Sequence, residues 1–226
     1  MIDFDYIYNL DFFVVWNFRI PLIKALFITI SYAVAASLLG TIVGCLMAIL
    51  EKSKLFFIRW FVRCFVELFR NTPLLVQLIW IHFALPLATG LNTSIYQSAL
   101  ISITCNAAAY ITEIFRAGVQ TVSLNQWEAA KSLGLSNWSI WRLVILPQAI
   151  RIVLPPLSNM YVSLLKGTAI LSILSVEELM RVSARISTYT AKPVEVLTIG
   201  ALMYFIVGLG LTTIFSKLER RFRLPD

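Results

Sequence analysis

No Asp, Glu, Lys or Arg occurs between Ala25 and Leu50. About 20 apolar residues coiled as a helix cross a ~30 Å hydrocarbon core, so this run alone places the chain in a membrane. The same absence recurs from Asn71 to Thr112 and from Val196 to Ser216, and Ile152–Val176 is interrupted only by Lys166. The Asn71–Thr112 run is too long for one helix, and Pro86, Gly90, Asn92 and Ser94 divide it. Spans are therefore expected at about 25–50, 66–87, 95–115, 152–176 and 196–216. With no internal repeat and no low-complexity linker, the economical reading is one all-α polytopic membrane bundle over residues 1–226.

Composition agrees. Of the 226 residues 59% are apolar and 14% charged, too few charges to cover a soluble domain and too many apolar residues for a disordered one. The formal charge of +7 raises nucleic acid as a partner, but the basic residues lie between apolar runs rather than on one face, and nucleic acid is excluded. They report topology instead. Lys52, Lys54, Arg59 and Arg63 follow the first span; Arg116, Lys131, Arg142 and Arg151 follow the third; Lys217, Arg220, Arg221 and Arg223 follow the fifth. By the positive-inside rule these segments are cytoplasmic. The start, with Asp3, Asp5 and Asp11 before Arg19, is then outside. The 177–195 loop is neutral, Glu177, Glu178 and Glu195 offsetting Arg181, Arg185 and Lys192, and it lies outside as well. An odd number of spans closes this topology.

Cys45, Cys64 and Cys105 are odd in number and far apart, which suits packing and not a disulfide or metal framework. Gly40 and Gly44 form a small-xxx-small pair that allows close helix approach, although glycine is ordinary in a membrane helix.

The longest cytoplasmic piece does not cross. Asn125–Leu133 is rich in helix formers and Gly134 follows it, supplying a left-handed residue after which Leu135 folds back. Ser136 or Asn137 then caps a second helix, Trp138–Leu146, which Pro147 ends or bends. An elbow over about 122–147 is expected, with Glu128, Ala129, Ala130 and Leu133 on its exposed face.

These residues resemble a family. Gln126-x-Glu128-Ala129-Ala130-x-x-x-Gly134, followed by Ile145-Leu146-Pro147, is similar to the EAA loop of bacterial ABC importer permeases. The flanks are similar to its polar amino acid uptake group: Glu67-Leu-Phe-Arg70-Asn-Thr72-Pro73-Leu-Leu-Val-Gln77, Ala109-Tyr110-Ile-Thr-Glu113-Ile-Phe-Arg116-Ala-Gly118, and Pro147-Gln148-Ala149 before Leu154-Pro155. The resemblance covers about residues 20–222. It implies a permease of the bacterial inner membrane, paired with a second permease (identical or not) and two ATPases, and supplied with a polar amino acid by a periplasmic binding protein. Gln126, Glu128, Ala129, Ala130, Leu133 and Gly134 would meet the ATPase. Two departures stand out: Asn125 replaces the family's usual glycine, and Lys166-Gly167-Thr168-Ala169-Ile170 stands where Lys-Asp-Thr-Ser-Leu is common. Loss of that acid implies different substrate contacts, or a subunit that does not bind substrate itself.

The chain has no Gly-x-x-x-x-Gly-Lys-Ser/Thr loop, so ATP and Mg belong to the partner ATPase and no cofactor is expected here. No nucleophile–base pair or metal cluster appears, which leaves a membrane enzyme without a constellation. The only histidine, His82, is expected to be satisfied within the bundle. Charges at membrane depth are costly and become functional candidates. Glu67 and Arg70, and Glu113 and Arg116, are each three apart and suit structural ion pairs. Alternatively Glu113 lines a translocation path with Asn106 and Tyr110, at i, i+4 and i+7 on one helix face. Lys166, with Thr168 beside it, faces a polar cavity or snorkels. The expected function is amino acid import; related solutes (opines, polyamines) and an ATP-independent channel or carrier are the alternatives.

Overall fold

The computed structural model describes residues 10–122 and 124–222, without the side chains of 124, 125 and 222. Asp3, Asp5 and Arg223, used above for orientation, lie outside the described residues, as does the side chain of Asn125. A short helix α1 (Phe13–Asn17) leads into α2 (Arg19–Leu50). Next come α3 (Phe56–Asn71), α4 (Leu74–Ile79) and α5 (Leu85–Thr89), then α6 (Ile95–Thr121). The elbow is α7 (Leu124–Ser132) and α8 (Asn137–Ile140). The chain ends with α9 (Leu146–Gly167), a 3₁₀ stretch Thr168–Leu174, α10 (Leu179–Thr190) and α11 (Pro193–Phe222). Four continuous helical stretches among the described residues are long and apolar enough to cross a membrane: Arg19–Leu50, Ile95–Thr121, Asn137–Leu174 and Pro193–Arg221. The fold is the expected all-α membrane bundle.

The expected span at 66–87 is corrected. It holds a break at Thr72–Pro73, where α3 and the following stretch Leu74–Thr89 meet at 112°. Pro73 causes it, because the residue before a proline is driven to extended backbone, and Thr72 sits at φ −115°, ψ 144°. Pro147 was expected to end or bend the second elbow helix, and Pro86 to divide the long run. Neither stops its helix. Each is preceded by one widened π turn, Trp80–Ala84 and Trp141–Ile145, and lies in the first turn of the α-helix that follows. The wide turn moves the preceding carbonyls off the pyrrolidine ring, and the first turn needs no N–H from proline. The elbow's second helix therefore runs on into α9.

The centre of the bundle is α2 against α6. Ala33, Ala36, Gly40 and Gly44 form a buried stripe on α2. A Cβ at Gly40 would lie 2.8 Å from Ala107 Cβ, and one at Gly44 would lie 3.0 Å from the Ala108 carbonyl. The glycine pair thus serves close helix approach, inside one chain. Thr112 Oγ1 donates across this seam to the Gly44 carbonyl at 3.3 Å. At the far end Lys192 Nζ lies 3.3 Å from Asp11 Oδ2, tying the start of the described chain to the 177–195 loop. There the buried Glu178 caps α10, accepting from the Met180 and Arg181 N–H groups and from Tyr204. Burial pushes its carboxyl above the ordinary range, against those hydrogen bonds.

Candidate functional site

The break at Thr72–Pro73 strips carbonyls of their helical partners. Side chains supply the donors. Thr72 Oγ1 donates to the Leu68 carbonyl at 2.7 Å. Gln77 Nε2 reaches the Phe69 carbonyl at 2.8 Å and the Thr72 carbonyl at 2.9 Å. Asn106 Nδ2, from α6, also donates to the Phe69 carbonyl at 3.1 Å and to Gln77 Oε1 at 3.1 Å. The Tyr110 hydroxyl donates to the Arg70 carbonyl at 3.3 Å. Gln77 and Asn106 are both buried in the process.

One turn further along α6 the same face carries charge. Arg116 Nε donates to Glu113 Oε2 at 2.8 Å, and its Nη2 to the other carboxylate oxygen, a two-pronged pairing. Arg70 Nη1 lies 3.7 Å from Glu113, with its guanidinium 5.7 Å from the centroid of the Tyr110 ring. The expected Glu113–Arg116 pair is present. The expected Glu67–Arg70 pair is not: Glu67 accepts from Asn71 Nδ2 at 2.5 Å, and Arg70 turns to α6. A more favourable carboxylate on another helix outcompetes the one on its own. Glu51–Arg63 adds a pair at 3.4 Å, and these groups enclose a polar crevice of about 290 Å³.

The face Asn106–Tyr110–Glu113 is one surface, as its spacing requires, but it grips the end of α3 instead of standing open along a path. Thr168 is fully buried, its hydroxyl bound to the Leu165 carbonyl at 2.7 Å. That removes Asn106 and Thr168 from any solvent-lined route in this conformation. Lys166 is exposed and forms no salt bridge with a described residue. A Cβ at the neighbouring Gly167 would meet open space. His82 is satisfied, with Nδ1 3.0 Å from Ser98 Oγ.

The elbow closes as a capped turn. Gly134 has φ 74°, and the Leu135 N–H donates to the Ala130 carbonyl at 3.3 Å. Ser136 Oγ accepts from the Ser139 N–H. Gln126, Glu128, Ala129 and Leu133 are exposed, Leu133 at 81%. Ala130 is not: it packs with Val122, Ile140, Ile145 and Ala149 beneath the elbow. At i+1 from Ala129 it is rotated about 100° round the helix, toward the bundle. Gln126 is further held by Gln148 of α9. Gln77 and Thr72 escaped the sequence reading as site residues, although a polar side chain four residues after a proline in an uncharged run signals them.

The pattern of the family described as "Binding-protein-dependent transport system inner membrane component" matches residues 40–224. The chain is 34% identical over 200 residues to a putative glutamine transport system permease protein of Rickettsia typhi, covering 88% of this chain and 92% of that one. It is 31% identical over 217 residues to a glutamate/aspartate import permease protein of Escherichia coli O6:H1, covering 91% and 97%. Among solved structures, a crystal structure of an amino acid ABC transporter with histidines superposes with a TM-score of 0.89 at 33% identity, over 94% of this chain and 99% of that one. The chain belongs to the family of inner membrane components of binding-protein-dependent transport systems, and it is a multi-pass permease subunit of that family.

Proposed function

We propose that this permease imports a polar amino acid, working with a second permease, a periplasmic binding protein and two ATPases that hold the ATP and Mg. The exposed edge of the elbow carries this reading. Gln126, Glu128, Ala129 and Leu133 stand on a helix fixed by a glycine cap at one end and continuous, through the Trp141–Ile145 turn, with a spanning helix. ATP-driven closure of the ATPases would carry the elbow and tilt α9. ATP shifts the inward–outward equilibrium only through contacts that differ between the two states. The orientation, start outside and end inside, is supported by the grouping of basic segments: Lys52, after α2, stacks on Trp141 of the elbow.

Lys166 is the residue assigned to the solute. It is an exposed cation that forms no salt bridge with a described residue, beside a glycine that leaves room. An ammonium there suits a carboxylate-bearing solute and disfavours a polyamine. The test is ATP-dependent uptake in vesicles reconstituted with the ATPase and binding protein, with labelled amino acids and polyamines. Lys166→Ala should raise the half-saturating concentration for amino acids, and Gly167→Asp should alter selectivity, while both retain the ATPase. Unchanged uptake in both variants removes substrate contact from this segment.

A further inference from the structure

At the elbow end of the bundle, α2, α6 and the helix through Trp141 enclose a crevice of about 540 Å³. Its walls are carbon and sulfur: Cys45 and Ile49 of α2, Phe115 and Val119 of α6, and Trp138 and Leu146 of the elbow helix. Lys52 and Arg142 also line it. Cys45 and Ile49 share one stripe of α2 at i and i+4, and Lys52 continues that line in the turn that follows. The crevice thus runs along the axis, roughly 10 Å from its apolar depth to the ammonium. Lys52 lies two residues past the end of α2, with Nζ 4.8 Å from the centroid of the Trp141 ring. Neither Lys52 nor Arg142 forms a salt bridge with a described residue, whereas the third cation at the crevice, Arg116, is taken by Glu113. Partial desolvation lowers the Lys52 pKa from its ordinary value, with nearby Glu51 opposing.

We infer that this crevice is a site for one anionic phospholipid, an acyl chain lying against Cys45 and Ile49 and the phosphate between Lys52 and Arg142. Basic pockets between spanning helices select anionic headgroups, and tryptophan prefers the headgroup level. Trp138 and Trp141 stand where the carbon wall gives way to the two cations. A free phosphate would leave the carbon wall uncovered, and a zwitterionic lipid would leave the positive charge uncompensated. A lipid supplies both chemistries on one molecule, and the membrane in which the helices sit supplies the lipid.

Native mass spectrometry of the full chain in its purified complex, with dioleoyl phosphatidylglycerol or dioleoyl phosphatidylcholine added, tests the assignment. The native chain should retain one phosphatidylglycerol over phosphatidylcholine by roughly thirtyfold, as expected of two interfacial cations. The K52E/R142E double variant should lose that preference. Ala48→Trp, which fills the wall while keeping both cations, should lose the lipid itself. Excess inorganic phosphate should leave the lipid bound; displacement by phosphate reduces the crevice to a simple anion site and overturns the proposal. Equal retention of the two lipids overturns it, as does undiminished phosphatidylglycerol on folded Ala48→Trp. So does the absence of any lipid difference between native and variant chains, the result if another protein covers the crevice. Ala48→Trp leaves the exposed edge of α7 untouched, so unchanged ATPase retention in its spectra separates failure here from failure of the elbow reading.

Discussion

Asn106 is where the residue scale decides between two accounts. Spacing alone places it on a face with Tyr110 and Glu113, and an i, i+4, i+7 face is equally suited to a path or to a partner helix. What spacing does not reveal is that Pro73 leaves the Phe69 carbonyl in need of donors. Asn106→Leu removes one of them and strands Gln77 Oε1. The expected loss is about 1–3 kcal/mol, the usual cost of an unsatisfied buried polar group. Thermal unfolding in detergent measures it; an unchanged melting temperature with defective uptake would return Asn106 to the path. A second test is steric. A Cβ at Gly118 would lie 2.1 Å from Val153 Cγ2, so Gly118→Ala should destabilise by roughly 1–3 kcal/mol. The double variant with Val153→Ala should recover much of that, and absence of recovery would refute the clash as the cause.

Among the elements, the elbow was the most legible and its junction the least. Gly134, Leu135 and Ser136 each follow local rules that depend only on near neighbours, and the structure places a left-handed glycine, a back-folded leucine and a serine cap at those positions. Pro147 obeys a rule with two solutions, a stop or a widened turn, and sequence does not choose between them. Burial of Ile140, Ile145 and Ala149 under α7 favours the continuous helix, and those are tertiary contacts. Pro147→Ala permits the wide turn to tighten by one residue, which would rotate the elbow by about 100° relative to α9. Cross-linking of a cysteine introduced at Ala129 to the ATPase should then fall while the permease remains folded. Retained cross-linking would mean that the turn does not set the elbow's bearing. Gly134→Val places a branched residue at φ 74° and should cost about 1–2 kcal/mol in the turn. It should also weaken ATPase stimulation by the binding protein; full stimulation would argue that the elbow tolerates a loose cap.

At the scale of the molecule, uncharged runs located the four continuous spanning helices, because a hydrocarbon core permits little else. They could not place the 112° turn inside the second span, since Thr72–Pro73 lies within an uncharged run. Nor could they pair Arg70 with Glu113, which depends on how α3 and α6 cross. The charges gathered at the elbow end and the capped, outward edge of α7 support the proposal that an ATPase moves this permease through Glu128 and its exposed neighbours. Co-purification in detergent of the ATPase with the native chain and with Glu128→Arg tests that claim most directly. The native chain should retain the ATPase and the charge reversal should release it from a permease that remains folded. Retention by both chains alike would contradict the assignment of Glu128 to the contact, and retention by neither would contradict ATP-driven coupling through the elbow.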